Sequence, residues 1–130
     1  MNQPKALIVG MLERGGRALF LLRKEGHGTG IEMPCVYGSL SADPVSQLSE
    51  AFRKQAGIKA EAGRIVLEGR YEHEGNHIPC LVLEMRQLRK EEPDPASAYA
   101  GFEWLTLDEA KLRKHSKKGS WLSEPIMRVE

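Results

Sequence analysis

Apolar positions in the first part of the chain come in short runs. Residues 5–13 (KALIVGMLE) and 17–23 (RALFLLR) are strand-length and apolar, and Arg14-Gly15-Gly16 between them has the chemistry of a tight turn, so a hairpin is expected over 5–23. Lys24 to Ser41 is rich in glycine and holds one proline, which predicts a loop with one short strand around Ile31-Glu32-Met33. The period then changes. Val45, Leu48, Phe52 and Ala56 recur at helical spacing and form one stripe, while Ser46, Gln47, Glu50, Arg53 and Lys54 lie off it. Asp43 is suited to cap the free amides of this helix, Pro44 to occupy its first position, and Gly57 to end it.

Downstream, Lys59 to Arg70 reads as strand, and residues 78–85 (IPCLVLEM) are the most strand-like run of the second half. Between them Gly75-Asn76 is the expected hairpin turn. Glu91-Glu92-Pro93-Asp94-Pro95 is a proline-broken polar loop. Phe102 to Leu105 is expected as a short strand and Leu107 to His115 as a second helix capped by Thr106, followed by a tail anchored by Trp121 and Ile126.

Composition narrows the class without naming a function. The chain of 130 residues fits one domain over 1–130, and 41% hydrophobic with 28% charged residues is ordinary for a globular fold. Lysine and arginine total 19 against 18 acids, so the net charge of +1 supplies no global attraction to nucleic acid or membrane. Neither a signal peptide nor a membrane span is visible after Met1, so a cytoplasmic location is the expectation. Cys35 and Cys80 read as reduced, buried thiols.

Several strings in this order carry a family resemblance. ALFLLR (18–23) is similar to the second strand and its arginine in the Nudix (MutT-like) hydrolases. GIEMPCV (30–36) sits where that family runs into Pro-Gly-Gly, QAGI (55–58) resembles the close of its box helix, and FEWLTLDEA (102–110) resembles a late tryptophan-containing segment. The likeness covers roughly 5–115. It implies an α/β/α sandwich with a mixed β-sheet between helices.

The family box, G-x5-E-x7-R-E-U-x-E-E-x-G-U with U a bulky aliphatic residue, is implied to hold magnesium against a diphosphate through its glutamates. Anchored on Gly57-Ile58, it places the glycine at Val36, the first glutamate at Ala42, the arginine at Glu50, the next glutamate at Ala51, and the last two at Lys54 and Gln55. Pro34 falls on the family's proline, and Phe52 on U. The fold-forming positions survive while the metal-binding carboxylates do not.

Magnesium requires hard oxygen ligands, usually carboxylates with phosphate and water. An ammonium such as that of Lys54, about 5 Å from a divalent cation at an effective dielectric near 20, repels it by roughly 6–7 kcal/mol before salt screening. No metal and no cofactor is therefore expected at the box, and with them go the Lewis acid and the activated water. The resemblance then implies a non-catalytic domain that binds a phosphorylated or nucleotide-like ligand. One alternative is a hydrolase of nucleoside diphosphate derivatives that takes magnesium or manganese on relocated ligands, Glu72, Glu74, Glu91 or Glu92. Another is a protein-protein interaction module whose cleft is filled by Met33, Tyr37 or their neighbours.

Candidate ligand-binding residues are Arg23, Arg53, Lys54, Glu72 and Glu74. For four of them there is a plainer reading. Arg53 and Lys54 also suit a solvated helix face, with Glu50 at i, i+4 from Lys54 as an ion partner. Glu72 and Glu74 suit the wet side of a hairpin. His73, His77 and Cys80 have a spacing that fits no strong zinc pattern and needs a fourth ligand from Cys35 or His27. The basic segment Lys111 to Lys118 lacks interleaved aromatics, so a nucleic-acid partner is not expected. The oligomeric state stays open, a dimer included.

Overall fold

The computed structural model describes residues 4–39 and 43–130. Its elements are β1 (Ala6–Met11), β2 (Glu13–Arg14), β3 (Arg17–Glu25), β4 (Gly28–Glu32), β5 (Cys35–Gly38), α1 (Pro44–Ala56), β6 (Ala60–His73), β7 (Asn76–Gln87), β8 (Tyr99–Leu105), α2 (Leu107–Lys111), a 3-10 helix (Lys117–Ser123) and β9 (Met127–Arg128). A mixed sheet runs in the order β5-β1-β7-β6-β9, with β1 and β7 parallel. A smaller antiparallel sheet is built on β3, which pairs with β2, β4 and β8.

The large sheet is covered on both faces. Alternation along β1 sends Ala6 and Ile8 to one side and Leu7, Val9 and Met11 to the other. On the first side α1 lays down Leu48, Phe52 and Ala56, all fully buried against Leu83 and Met85 of β7. Gly10 lets the Phe52 ring descend onto the sheet, since a Cβ there would lie 2.9 Å from a ring carbon. Burying a ring of that size is worth about 1.5–3 kcal/mol. On the opposite side the 3-10 helix inserts Trp121 and Leu122 above Leu7, Cys80 and Val82. The result is an α/β/α sandwich with a mixed sheet at its centre.

Helix α1 matches the expected limits. Asp43 accepts from the Val45 amide, Pro44 opens the helix, and Gly57 closes it in the left-handed region at φ 72° with its amide on the Arg53 carbonyl. Val45 is the exception in the apolar stripe, being exposed.

Other expectations need correction. The run 5–13 does not pair with 17–23 as one hairpin: β1 pairs with β5 and β7 in the large sheet, and only Glu13 and Arg14 fold back on β3. The stretch 24–41 holds two strands, β4 and β5, where a loop with one strand was expected. Its glycines serve close packing: a Cβ on Gly30 would meet the Ser116 amide nitrogen at 2.6 Å, and one on Gly38 an Ile8 side-chain carbon at 2.9 Å. The β6–β7 turn is centred on Glu74-Gly75, one residue earlier than expected, with φ of 49° and 83°. The second helix stops at Lys111. Beyond it the Ile31 amide donates to the Lys114 carbonyl and the Ser116 amide to the Ile31 carbonyl, so residues 114–116 lie along β4 and leave the helical path.

Candidate functional site

Of the box positions, Ala42 lies outside the described residues. Glu50, Ala51, Lys54 and Gln55, the residues expected at the helical positions, sit on the last turns of α1, where the helix meets β5. Gln55 dominates this junction. Its side-chain oxygen accepts from the Cys35 amide at 3.0 Å, and its nitrogen donates to the Cys35 carbonyl at 2.8 Å. A primary amide offers one donor and one acceptor, so it completes both main-chain bonds on the open edge of β5. Ionised glutamate offers acceptors only. Ala51 carries no polar group. Glu50 takes Arg53 at 2.7 Å and Lys54 at 3.7 Å, and the Arg53 guanidinium holds its carboxyl below the usual range. Lys54 keeps 68% of its side chain in solvent.

Arg23 lies apart, on β3. It forms a two-pronged contact with Glu32, 2.6 Å from Nε to one oxygen and 3.1 Å from a terminal nitrogen to the other. Glu32 is fully buried, and it also accepts from the Tyr99 hydroxyl at 3.1 Å and the Ser116 hydroxyl at 2.7 Å. Four elements therefore meet on one carboxylate: β3, β4, β8 and the start of the 3-10 helix. The Glu32 hydrogen bond raises the Arg23 guanidinium further above its ordinary value. Sequence reasoning missed this group. Its signal was an acid between Ile31 and Met33, which burial demands be paired.

A second cluster forms on the large sheet beside β5. Tyr37 of β5 and Tyr71 of β6 share a hydrogen bond between hydroxyls at 3.1 Å, the His73 ring centre lies 4.9 Å from that of Tyr37, and the Lys118 ammonium stands 5.2 Å from the Tyr37 ring centre. Burial, then the bond to Tyr37, pushes the Tyr71 hydroxyl above its ordinary value. A cation over an aromatic face contributes about 0.5–1 kcal/mol when solvent-accessible.

The remaining candidates are scattered. Glu72 and Glu74 are exposed at the tip of the β6–β7 hairpin, Glu92 pairs with Arg14, and the Asp94 amide donates to the Ala56 carbonyl behind Gly57. His77 is exposed opposite Glu72, while Cys80 is buried on the face shared by Tyr71. Among the described residues, no group of three or more His, Cys, Asp or Glu side chains is gathered in a way that suits a metal ion. Both cysteines are free and buried, and no described helix is long and apolar enough to cross a membrane.

No family model matches the sequence, and no curated protein matches it. Solved structures do. The MutT protein from Methanosarcina mazei superposes with a TM-score of 0.72 at 12% identity, covering 95% of this chain and 94% of that one. An ADP-ribose pyrophosphatase from Streptococcus suis gives 0.69 at 16% identity, covering 94% and 87%. A MutT Nudix hydrolase from Burkholderia pseudomallei gives 0.60 at 19% identity, covering 83% and 87%. The chain has the fold of the Nudix hydrolases.

Proposed function

We propose that this chain is a Nudix-fold binding domain, without box-dependent diphosphate hydrolysis, whose ligand is phosphorylated or nucleotide-like. The observation that carries the reading is the state of Gln55: the side chain that the sequence register expects at a metal-ligand position is spent on both main-chain groups of Cys35. Ala51 and Lys54 beside it supply no carboxylate. Because Met33 and Trp121 are buried and fill the space between the layers, the ligand is assigned to the rim of β5. There Lys118 supplies positive charge over the aromatic face of Tyr37, and Lys54, which also pairs with Glu50, supplies a second ammonium from the last turn of α1. An ammonium needs no metal to hold a phosphate.

The filled interior also favours a second reading, in which the same rim meets a protein partner. Calorimetric titration with ADP, UDP-glucose and ADP-ribose, with and without magnesium, separates the possibilities. The proposal expects binding that does not require magnesium, weakened by Lys54→Ala and Lys118→Ala, together with no turnover on magnesium or manganese. Chelator-sensitive turnover lost on Glu72→Ala, Glu74→Ala, Glu91→Ala or Glu92→Ala would restore the hydrolase reading. No heat with any of the three compounds would leave the interaction module.

A further inference from the structure

On the face of the large sheet covered by the 3-10 helix, polar side chains from three elements meet beside β5: Tyr37 of β5, Tyr71 and His73 of β6, and Lys118 of the 3-10 helix. Tyr71 is fully buried, Tyr37 is half-buried, and their hydroxyls lie 3.1 Å apart. Two hydroxyls joined by one hydrogen bond use one proton and leave the other. Stranding a hydroxyl proton in the interior is costly, so the buried Tyr71 is the donor. Burial, then this bond, raises the Tyr71 hydroxyl above its ordinary value, the direction that donation gives. The Tyr37 proton is left to face the rim.

Lys118 is short of an acceptor in the same place. Its side chain is half-buried, its ammonium stands 5.2 Å from the Tyr37 ring centre, and among the described residues it has neither an ion pair nor a hydrogen bond. An aromatic face eases the partial burial of a cation but does not use up its N–H donors. Beside them the Nδ1 of His73 is buried with no partner among the described residues. The nearby acids are turned elsewhere, Glu32 to Arg23, Tyr99 and Ser116, and Glu74 to Nε2 of His73 at 3.9 Å. What remains is an ammonium and a hydroxyl proton with no acceptor, the donor set that suits an oxyanion.

We propose that Lys118 and Tyr37 form the phosphate subsite of the β5 rim, and that the group it takes is a terminal phosphate, free or on a nucleoside. The inference rests on the rim being the ligand site. A single ammonium with a single hydroxyl matches one phosphoryl group. A terminal phosphate brings three acceptor oxygens and a charge of about −1.5 to −2 at neutral pH. A diphosphate closed by esters at both ends, as in ADP-ribose, has fewer free oxygens and less charge on each phosphorus, so it uses these donors less well. Tyr71 and His73 position the Tyr37 ring, one by its hydrogen bond and the other by packing 4.9 Å away.

The test is calorimetry on the full chain with AMP, inorganic phosphate, adenosine and ADP-ribose, without magnesium. AMP is expected to bind about tenfold more tightly than adenosine or ADP-ribose, and Lys118→Met and Tyr37→Phe each to weaken it about tenfold, as for loss of a hydrogen bond to a charged group. Inorganic phosphate as tight as AMP would identify the free ion as the ligand, and weaker binding the nucleoside form; either supports the subsite. In the unaltered chain, AMP should shift the ring resonances of Tyr37 and His73, a readout that does not depend on the variants folding. ADP-ribose as tight as AMP, AMP binding untouched by both substitutions, or shifts that spare both rings would overturn the subsite and leave the rim reading standing. No binding of AMP or ADP-ribose would remove the rim reading and the subsite with it.

Discussion

Gln55 and Cys35 are joined by two hydrogen bonds, one in each direction, that fasten the end of α1 to the open edge of β5. Gln55, which the sequence register expects at a box glutamate, is an amide used as a clamp. The same position serves architecture here.

Gln55→Glu tests that exchange. The carboxylate keeps an acceptor for the Cys35 amide but loses the donor and faces the Cys35 carbonyl. A cost of about 1–2 kcal/mol is expected in urea unfolding, from one lost bond and one unsatisfied carbonyl. No magnesium-dependent turnover should appear, because Ala51 and Lys54 still offer no ligand. Unchanged or increased stability would show that the clamp contributes little.

The Arg23–Glu32 pair should respond asymmetrically. Glu32 is fully buried whereas Arg23 keeps 32% of its side chain exposed, so solvent can serve the arginine and not the acid. Arg23→Met, which strands a buried carboxylate, is expected to cost about 3–5 kcal/mol. Glu32→Gln keeps one acceptor oxygen for the Tyr99 or the Ser116 hydroxyl, while the other hydroxyl must turn to accept from the new amide, and should cost about 1–2 kcal/mol. A reversed order in denaturant titrations would contradict this account, and a double-mutant cycle measures the coupling.

Gly119→Ala should loosen the 3-10 helix. A Cβ there would fall 2.2 Å from the Ile31 carbonyl oxygen, inside any tolerable contact, and main chain cannot swing aside as a side chain does. The expected loss is about 1–3 kcal/mol, the range for forced overpacking. Trp121 is nearly fully buried in the same helix, so its fluorescence should shift to the red. A wild-type spectrum together with wild-type stability would mean the helix and β4 are not in the tight register described.

Alkaline pH should destabilise the fold through its thiols. Burial pushes the Cys35 thiol up from 9.0 to about 12, and burial also raises Cys80. Between those values the unfolded chain releases the proton and the folded chain keeps it. The stabilisation is fully present below about pH 9 and is lost as pH climbs towards 12. Cys35→Ala should flatten part of that decline, with Cys80 and the buried tyrosines Tyr71 and Tyr99 supplying the rest. A decline of equal slope in the variant would remove Cys35 from the explanation.

What was readable in the sequence is local in origin. The limits of α1 follow from Asp43, Pro44 and Gly57, each acting on amides or dihedrals within a few residues. The expectation that the box positions fall on Ala51, Lys54 and Gln55 is likewise local, resting on a register anchored at Pro34 and Gly57-Ile58.

Tertiary structure decided what depends on distant partners. Residues 5–13 and 17–23 are equally good strands by pattern, and only the burial of both faces of β1 sends it between β5 and β7 instead of into a hairpin with β3. Helix α2 ends early because β4, some 80 residues upstream, offers its edge to residues 114–116. Arg23 reaches Glu32 across the β3–β4 hairpin, but Glu32 finds Tyr99 and Ser116, and Gln55 finds Cys35, only once the layers close. Periodicity reports which face of an element is apolar; the identity of what covers that face, and of the polar groups trapped beneath it, is a property of the assembled chain.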